Sequence, residues 1–169
     1  MRKLAVGVCV SLVALMLVPI VVSQASSDGP RGPFNARLKG FNEVPAVSTE
    51  ATGRFSARVD RGAEEIAFRL EYEDLEGEVL FAHIHLGQRD VNGGVITFLC
   101  GGGGFDDCPQ EGTVTGVIEA SDIIGPSGQG IAAGEFDEVV DAMMAGVTYA
   151  NVHSDKFPGG EIRGQIRRP

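Results

Sequence analysis

Two-residue alternation of apolar and polar side chains, repeated in segment after segment, limits this chain more than any other feature. Phe55, Ala57 and Val59 alternate with Arg54, Ser56, Arg58 and Asp60. Ile66, Phe68, Leu70 and Tyr72 alternate with Glu65, Ala67, Arg69 and Glu71, and Ile162, Gly164 and Ile166 with Glu161, Arg163, Gln165 and Arg167. A strand points successive side chains to opposite faces, so each such segment buries one face and wets the other, as antiparallel sheets do. Further strands are predicted over 35–40, 79–86, 95–100, 112–119 and 147–153, seven or eight in all. Glycine-rich turn signals separate them: Asp60-Arg61-Gly62, Glu76-Gly77, Asn92-Gly93-Gly94 and Pro158-Gly159-Gly160. Many short strands joined by such turns predict an all-β antiparallel sandwich or barrel. One segment breaks the period. Over 135–145, Phe136, Val139, Val140, Met143 and Met144 recur at spacings of three and four, with Gly146 placed to cap a short helix whose stripe packs on the sheet edge or over an open end.

The first residues have a different character. Met1-Arg2-Lys3 is basic, Leu4 to Val22 is an apolar run of nineteen residues, and Ser23-Gln24-Ala25 supplies small residues for cleavage. Residues 1–25 therefore read as a secretory signal cleaved after Ala25, with a retained membrane anchor as the rival reading. Pro19 and the small-residue site favour cleavage, after which no membrane span is expected. Cys9 lies inside the apolar run, far from where a lipoprotein cysteine would stand. Residues 26–33, rich in Ser, Gly, Pro and Asp, read as a flexible leader, and 34–169 as one domain.

Cleavage removes Arg2 and Lys3 from a chain with 14 basic and 23 acidic residues, taking the net charge from −9 to −11. That balance argues against nucleic acid and against anionic membrane surfaces, and suits solubility and cation binding. Of three cysteines, Cys100 and Cys108 would remain. In an exported protein a bridge between them is the default, fixing the loop Gly101-Gly102-Gly103-Gly104-Phe105-Asp106-Asp107; a pair of metal thiolates is the alternative.

Only three histidines occur: His83 and His85 in Phe81-Ala82-His83-Ile84-His85-Leu86-Gly87, and His153 in Tyr149-Ala150-Asn151-Val152-His153-Ser154. On a strand, His83 and His85 share one face, their Cβ atoms about 6.5–7 Å apart. Leu80, Ala82, Ile84 and Leu86 form the opposite face, read as core, so the histidines are expected to look outward or into an end cavity. His153 shares its face with Tyr149 and Asn151. If the two strands are neighbours, three imidazoles converge, a donor set that suits zinc or copper. Asp155, Asp90, Glu161 or water are candidate fourth ligands. The competing reading is architectural, a polar network in which Glu43, Glu161 and Arg163 partner the histidines and a bidentate Arg163–carboxylate pair ties the last strand to the first.

Several motifs in order resemble the CHRD domain, the module named after chordin. They are Leu38-Lys39-Gly40-Phe41-Asn42-Glu43-Val44-Pro45, Ala82-His83-Ile84-His85-x-Gly87, Asn92-Gly93-Gly94-Val95, Gly112-Thr113-Val114-Thr115-Gly116, and Tyr149 to Ser154 followed by Phe157 to Gln165. The resemblance spans about Asn35 to Ile166; Ser154 stands where the family more often has Thr. It implies an immunoglobulin-like β-sandwich or barrel, common in exported bacterial proteins and found beside binding and adhesion domains, without a defined activity of its own. The His-x-His strand also resembles that of copper–zinc superoxide dismutases, which are secreted Greek-key β-sandwiches. Their two-metal site uses six histidines, so three here support a mononuclear site and weigh against dismutase chemistry.

Other catalytic arrangements are weaker. Ser154 and His153 are adjacent and point to opposite faces on a strand. Asp106 with Asp107, Glu64 with Glu65, and Asp137, Glu138 and Asp141 on the helix read as solvated charges. The leading expectation is a secreted or cell-envelope, non-enzymatic binding module for an extracellular protein or glycan, with copper or zinc at His83, His85 and His153. A metal-dependent redox enzyme and a purely structural surface or matrix protein stand as alternatives.

Overall fold

The computed structural model describes residues 31–168. Among these described residues, eight strands and one α-helix follow in the order β1 (Arg31–Lys39), β2 (Thr52–Asp60), β3 (Glu65–Glu73), β4 (Val79–Leu86), β5 (Gly94–Cys100), β6 (Gly112–Glu119), α1 (Phe136–Ala145), β7 (Thr148–Ser154) and β8 (Ile162–Gln165). The residues read as a signal lie outside the described part. β1 reaches back to Arg31, which pairs with Val59, so the strand extends into the stretch read as leader.

The strands form one antiparallel sheet in the order β5-β4-β7-β8-β1-β2-β3-β6. Its edges, β5 and β6, come together, so the sheet is a nearly closed barrel. The all-β antiparallel expectation holds, with the alternating residues facing inward. Phe55 pairs with Leu70, Val59 with Ile66, and Ile66 with Ile118. Phe34, Leu38, Phe55, Ile66, Leu70, Ile84, Ile96, Leu99, Ile118 and Ile162 are buried in one continuous core. Each contributes about 1.5–3 kcal/mol by leaving water.

Helix α1 adds Phe136, Val139, Val140 and Met143 to that core, so its methionine-containing stripe is packing surface. Gly146 ends it in the left-handed region, φ 71°, and its N–H meets the Ala142 and Met143 carbonyls. The acidic face stays wet but is anchored. Arg61, in the β2–β3 turn, donates to Asp137 at 2.6 Å and also to Asp141. A Cys100–Cys108 disulfide, Cα atoms 5.0 Å apart, closes the glycine loop at the end of β5.

Strand β4 departs from the simple inside–outside pattern. Leu80 is 40 % exposed rather than core, and Leu86 is only half-buried. His83, His85 and His153, expected to look outward or into an end cavity, are only 5, 7 and 6 % exposed. The reason is a second layer. Three loops, at 40–47, 87–93 and 155–161, fold over the outer face of β4, β7 and β8 and bond to it or to one another. Every residue of β7 is buried as a result.

Candidate metal centre

Neighbouring antiparallel strands bring the histidines together. β4 pairs with β7 so that His85 faces Tyr149, His83 faces Asn151 and Phe81 faces His153. Imidazole centroids are 5.3 Å apart for His83 and His85, 5.0 Å for His83 and His153, and 5.9 Å for His85 and His153. One ring nitrogen from each falls within 4.8 Å of the other two.

Hydrogen bonds fix much of the protonation pattern. His85 Nδ1 donates to the Gly93 carbonyl at 3.0 Å, and His153 Nδ1 to the Pro158 carbonyl at 3.1 Å. Both rings then carry their lone pair on Nε2, the arrangement in which a histidine ligand is oriented by a carbonyl behind it. His83 Nδ1 lies 3.3 Å from His153 Nε2 and donates to it when all three rings are neutral. Within the cluster, two buried ring nitrogens are left without a partner, His83 Nε2 and His85 Nε2. A buried unsatisfied polar atom costs about 1–3 kcal/mol.

Neutral rings are what the surroundings demand. Burial pushes His83 down to about 3, with His153 and His85 adding to the effect. Burial pushes His85 down to about 4 against the opposing bond to Gly93, and lowers His153 against its bond to Pro158.

Aromatic rings wall the cluster. The ring centroid of Phe81 lies 4.8 Å from those of both His83 and His153, and that of Phe98 4.4 Å from that of His83, the two rings steeply inclined at 74°. Tyr149 stacks on His85 at 4.8 Å, nearly parallel at 2°, and the Arg163 guanidinium covers Tyr149 at 4.7 Å. Tyr149 and Phe81 share the histidine faces of their strands, a relation visible in the two-residue period. Phe98 is supplied by β5, and no sequence spacing connects it to the histidines.

The acidic and basic residues expected to partner the histidines sit elsewhere. Glu43 accepts from Asn151 Nδ2 at 2.7 Å, and burial raises its carboxyl to about 7 although Arg163 and Asn151 pull it down. Arg163 Nε stands 4.0 Å from Glu43 but donates to the Asn42 carbonyl at 2.6 Å, and Nη1 donates to Asn92 Oδ1 at 2.9 Å. No bidentate pair forms, because the guanidinium is spent on loop carbonyls; burial therefore outweighs the attraction at Glu43. Glu161 makes a separate knot, accepting from Ser154 Oγ at 2.5 Å, Thr49 Oγ1 at 2.9 Å and the Glu76 N–H at 2.8 Å.

Among the fourth-ligand candidates, Asp155 accepts from the Glu78 N–H, Glu161 is committed to its knot, and Asp90 is on the exposed loop. Among the described residues, the metal-competent group containing these histidines has no other histidine, cysteine, aspartate or glutamate. The donors themselves fit a metal ion: three neutral imidazoles, two with a ring N–H directed to a carbonyl, and two orphaned nitrogens.

A barrel of antiparallel strands carrying a roofed three-histidine cluster on its outer face defines the class. The CHRD domain family model matches residues 34–166, and the chain belongs to that family. No curated protein and no solved structure matches the chain. Among the described residues, no helix is long and apolar enough to cross a membrane.

Proposed function

We propose that this protein is an exported, non-enzymatic binding module that holds one metal ion through His83, His85 and His153. The observation that carries the reading is the pair of buried, partnerless nitrogens, His83 Nε2 and His85 Nε2, within a group whose ring nitrogens lie inside 4.8 Å. A bound cation removes that cost at each of these nitrogens that it takes as a ligand. Export is supported by the signal pattern of residues 1–25, by the disulfide and by membership of the CHRD family. Its outward partner is an extracellular protein or glycan.

Metal content of the untagged mature protein tests the reading. One equivalent of copper or zinc in the protein, absent from a His83/His85/His153→Gln variant, is expected. A folded protein that takes up neither ion after loading would make the histidines architectural, with the bond between His83 and His153 as their purpose.

A further inference from the structure

We infer that the ion suited to this centre is monovalent copper, Cu(I), in preference to zinc or Cu(II); the inference rests on the metal-binding reading above. Imidazole serves zinc and copper alike, so donor type does not decide between them. Charge and coordination number do.

The charge argument begins with the ligands. Three neutral imidazoles leave the whole charge of the ion in place, and among the described residues no carboxylate or thiolate joins them. The carboxylates of the neighbouring layer are directed to other partners. Glu161 is tied to Ser154, Thr49 and the Glu76 amide, while Glu43 is turned to Asn151. The closest fixed charge through the stacked rings is positive: Arg163 lies on Tyr149, and Tyr149 lies on His85. Moving an ion from water into such a site costs free energy that grows with the square of its charge. A divalent ion meets that cost with no anion beside it and with a guanidinium two rings away. A monovalent ion meets about a quarter of it.

Coordination number points the same way. The described residues supply three donors, and Phe81, Phe98 and Tyr149 pack against the histidine rings. Zinc on three histidines needs a water to complete its four-coordinate shell, and Cu(II) prefers a tetragonal set. Cu(I), with the same filled d shell as zinc but half its charge, is content with three donors in a plane.

Competition titrations on the untagged mature protein test this directly. Cu(I) is measured without oxygen against bicinchoninate, and zinc against a chromophoric zinc chelator. Cu(I) is expected to bind at one equivalent, about 1,000-fold or more tighter than zinc. Stoichiometric zinc of equal or higher affinity would overturn the preference while leaving the metal-binding reading intact. Stoichiometric binding of neither ion would overturn both. An Arg163→Gln variant, checked for folding by near-UV circular dichroism, isolates the charge argument: zinc is expected to gain more affinity than Cu(I), narrowing the ratio about tenfold. An unchanged ratio in a folded variant would sink that argument, and the wild-type comparison stands without the variant.

Discussion

Gly160 shows how little room the roof leaves above the sheet. Its φ is 123°, and a Cβ there would stand 2.7 Å from Asn151 Nδ2 and 2.8 Å from Glu43 Oε1. Gly160→Ala is expected to cost about 2–4 kcal/mol in urea unfolding, combining backbone strain with loss of the Asn151–Glu43 bond. Glu43 itself makes stability depend on pH. Its carboxyl rises from the ordinary 4.5 to about 7 in the fold, so its contribution is fully present below 4.5 and is lost as pH rises through about 7. Glu43→Gln keeps an acceptor for Asn151 and removes the titration. The stability of the variant relative to the wild type is therefore expected to improve by about 1–3 kcal/mol between pH 4 and pH 8, read from urea curves at both values. A constant difference across that range would mean Glu43 is ionised in the fold.

At the scale of elements, the disulfide loop and β5 act on the centre from the side. Gly102 and Gly103 lie so close to Phe98 that a Cβ on either would stand 2.6 or 2.8 Å from its ring, and Phe98 packs against His83. A Cys100→Ser/Cys108→Ser variant is expected to lose about 2–3 kcal/mol of stability, with a changed near-UV signal from the Phe98 environment. Helix α1 is held mainly by its apolar stripe, so Met143→Ala should cost about 2–4 kcal/mol by leaving a cavity, measured by thermal unfolding. These elements also mark what could be read from the sequence. Strands β4 and β6 fall where the alternation and the turns place them, and the helix differs from its expected span by one residue. The histidine triad was legible because two short motifs needed only to be neighbours. The burial of that triad was not legible, because period two reports two faces of a strand and not the loops that cover one of them. Arg163 does stand 4.0 Å from a carboxylate, Glu43, but its hydrogen bonds go to backbone carbonyls and Asn92, which no pattern of charged residues announces.

For the whole molecule, a bound ion is a source of stability. An ion that binds only the folded chain, supplied at about 100 times its dissociation constant, adds about 2.7 kcal/mol, so loading is expected to raise the melting temperature in the wild type and leave a His83/His85/His153→Gln variant unmoved. The roof has one more consequence, in the order of events during synthesis. Asn42 and Glu43 come from the first loop, Gly93 from the middle of the chain and Pro158 from the last turn, and the bond from Arg163 to Asn42 spans 121 residues. β1 cannot gain its second neighbour until β8 has been made. A chain threaded across a membrane N-terminus first, as we propose for this one, therefore carries its histidines through as an open strand and a still later segment. It completes their enclosure only after the final strand emerges. An ion held there, as we propose, would be chosen by the compartment where the chain arrives and not by the one where it was translated.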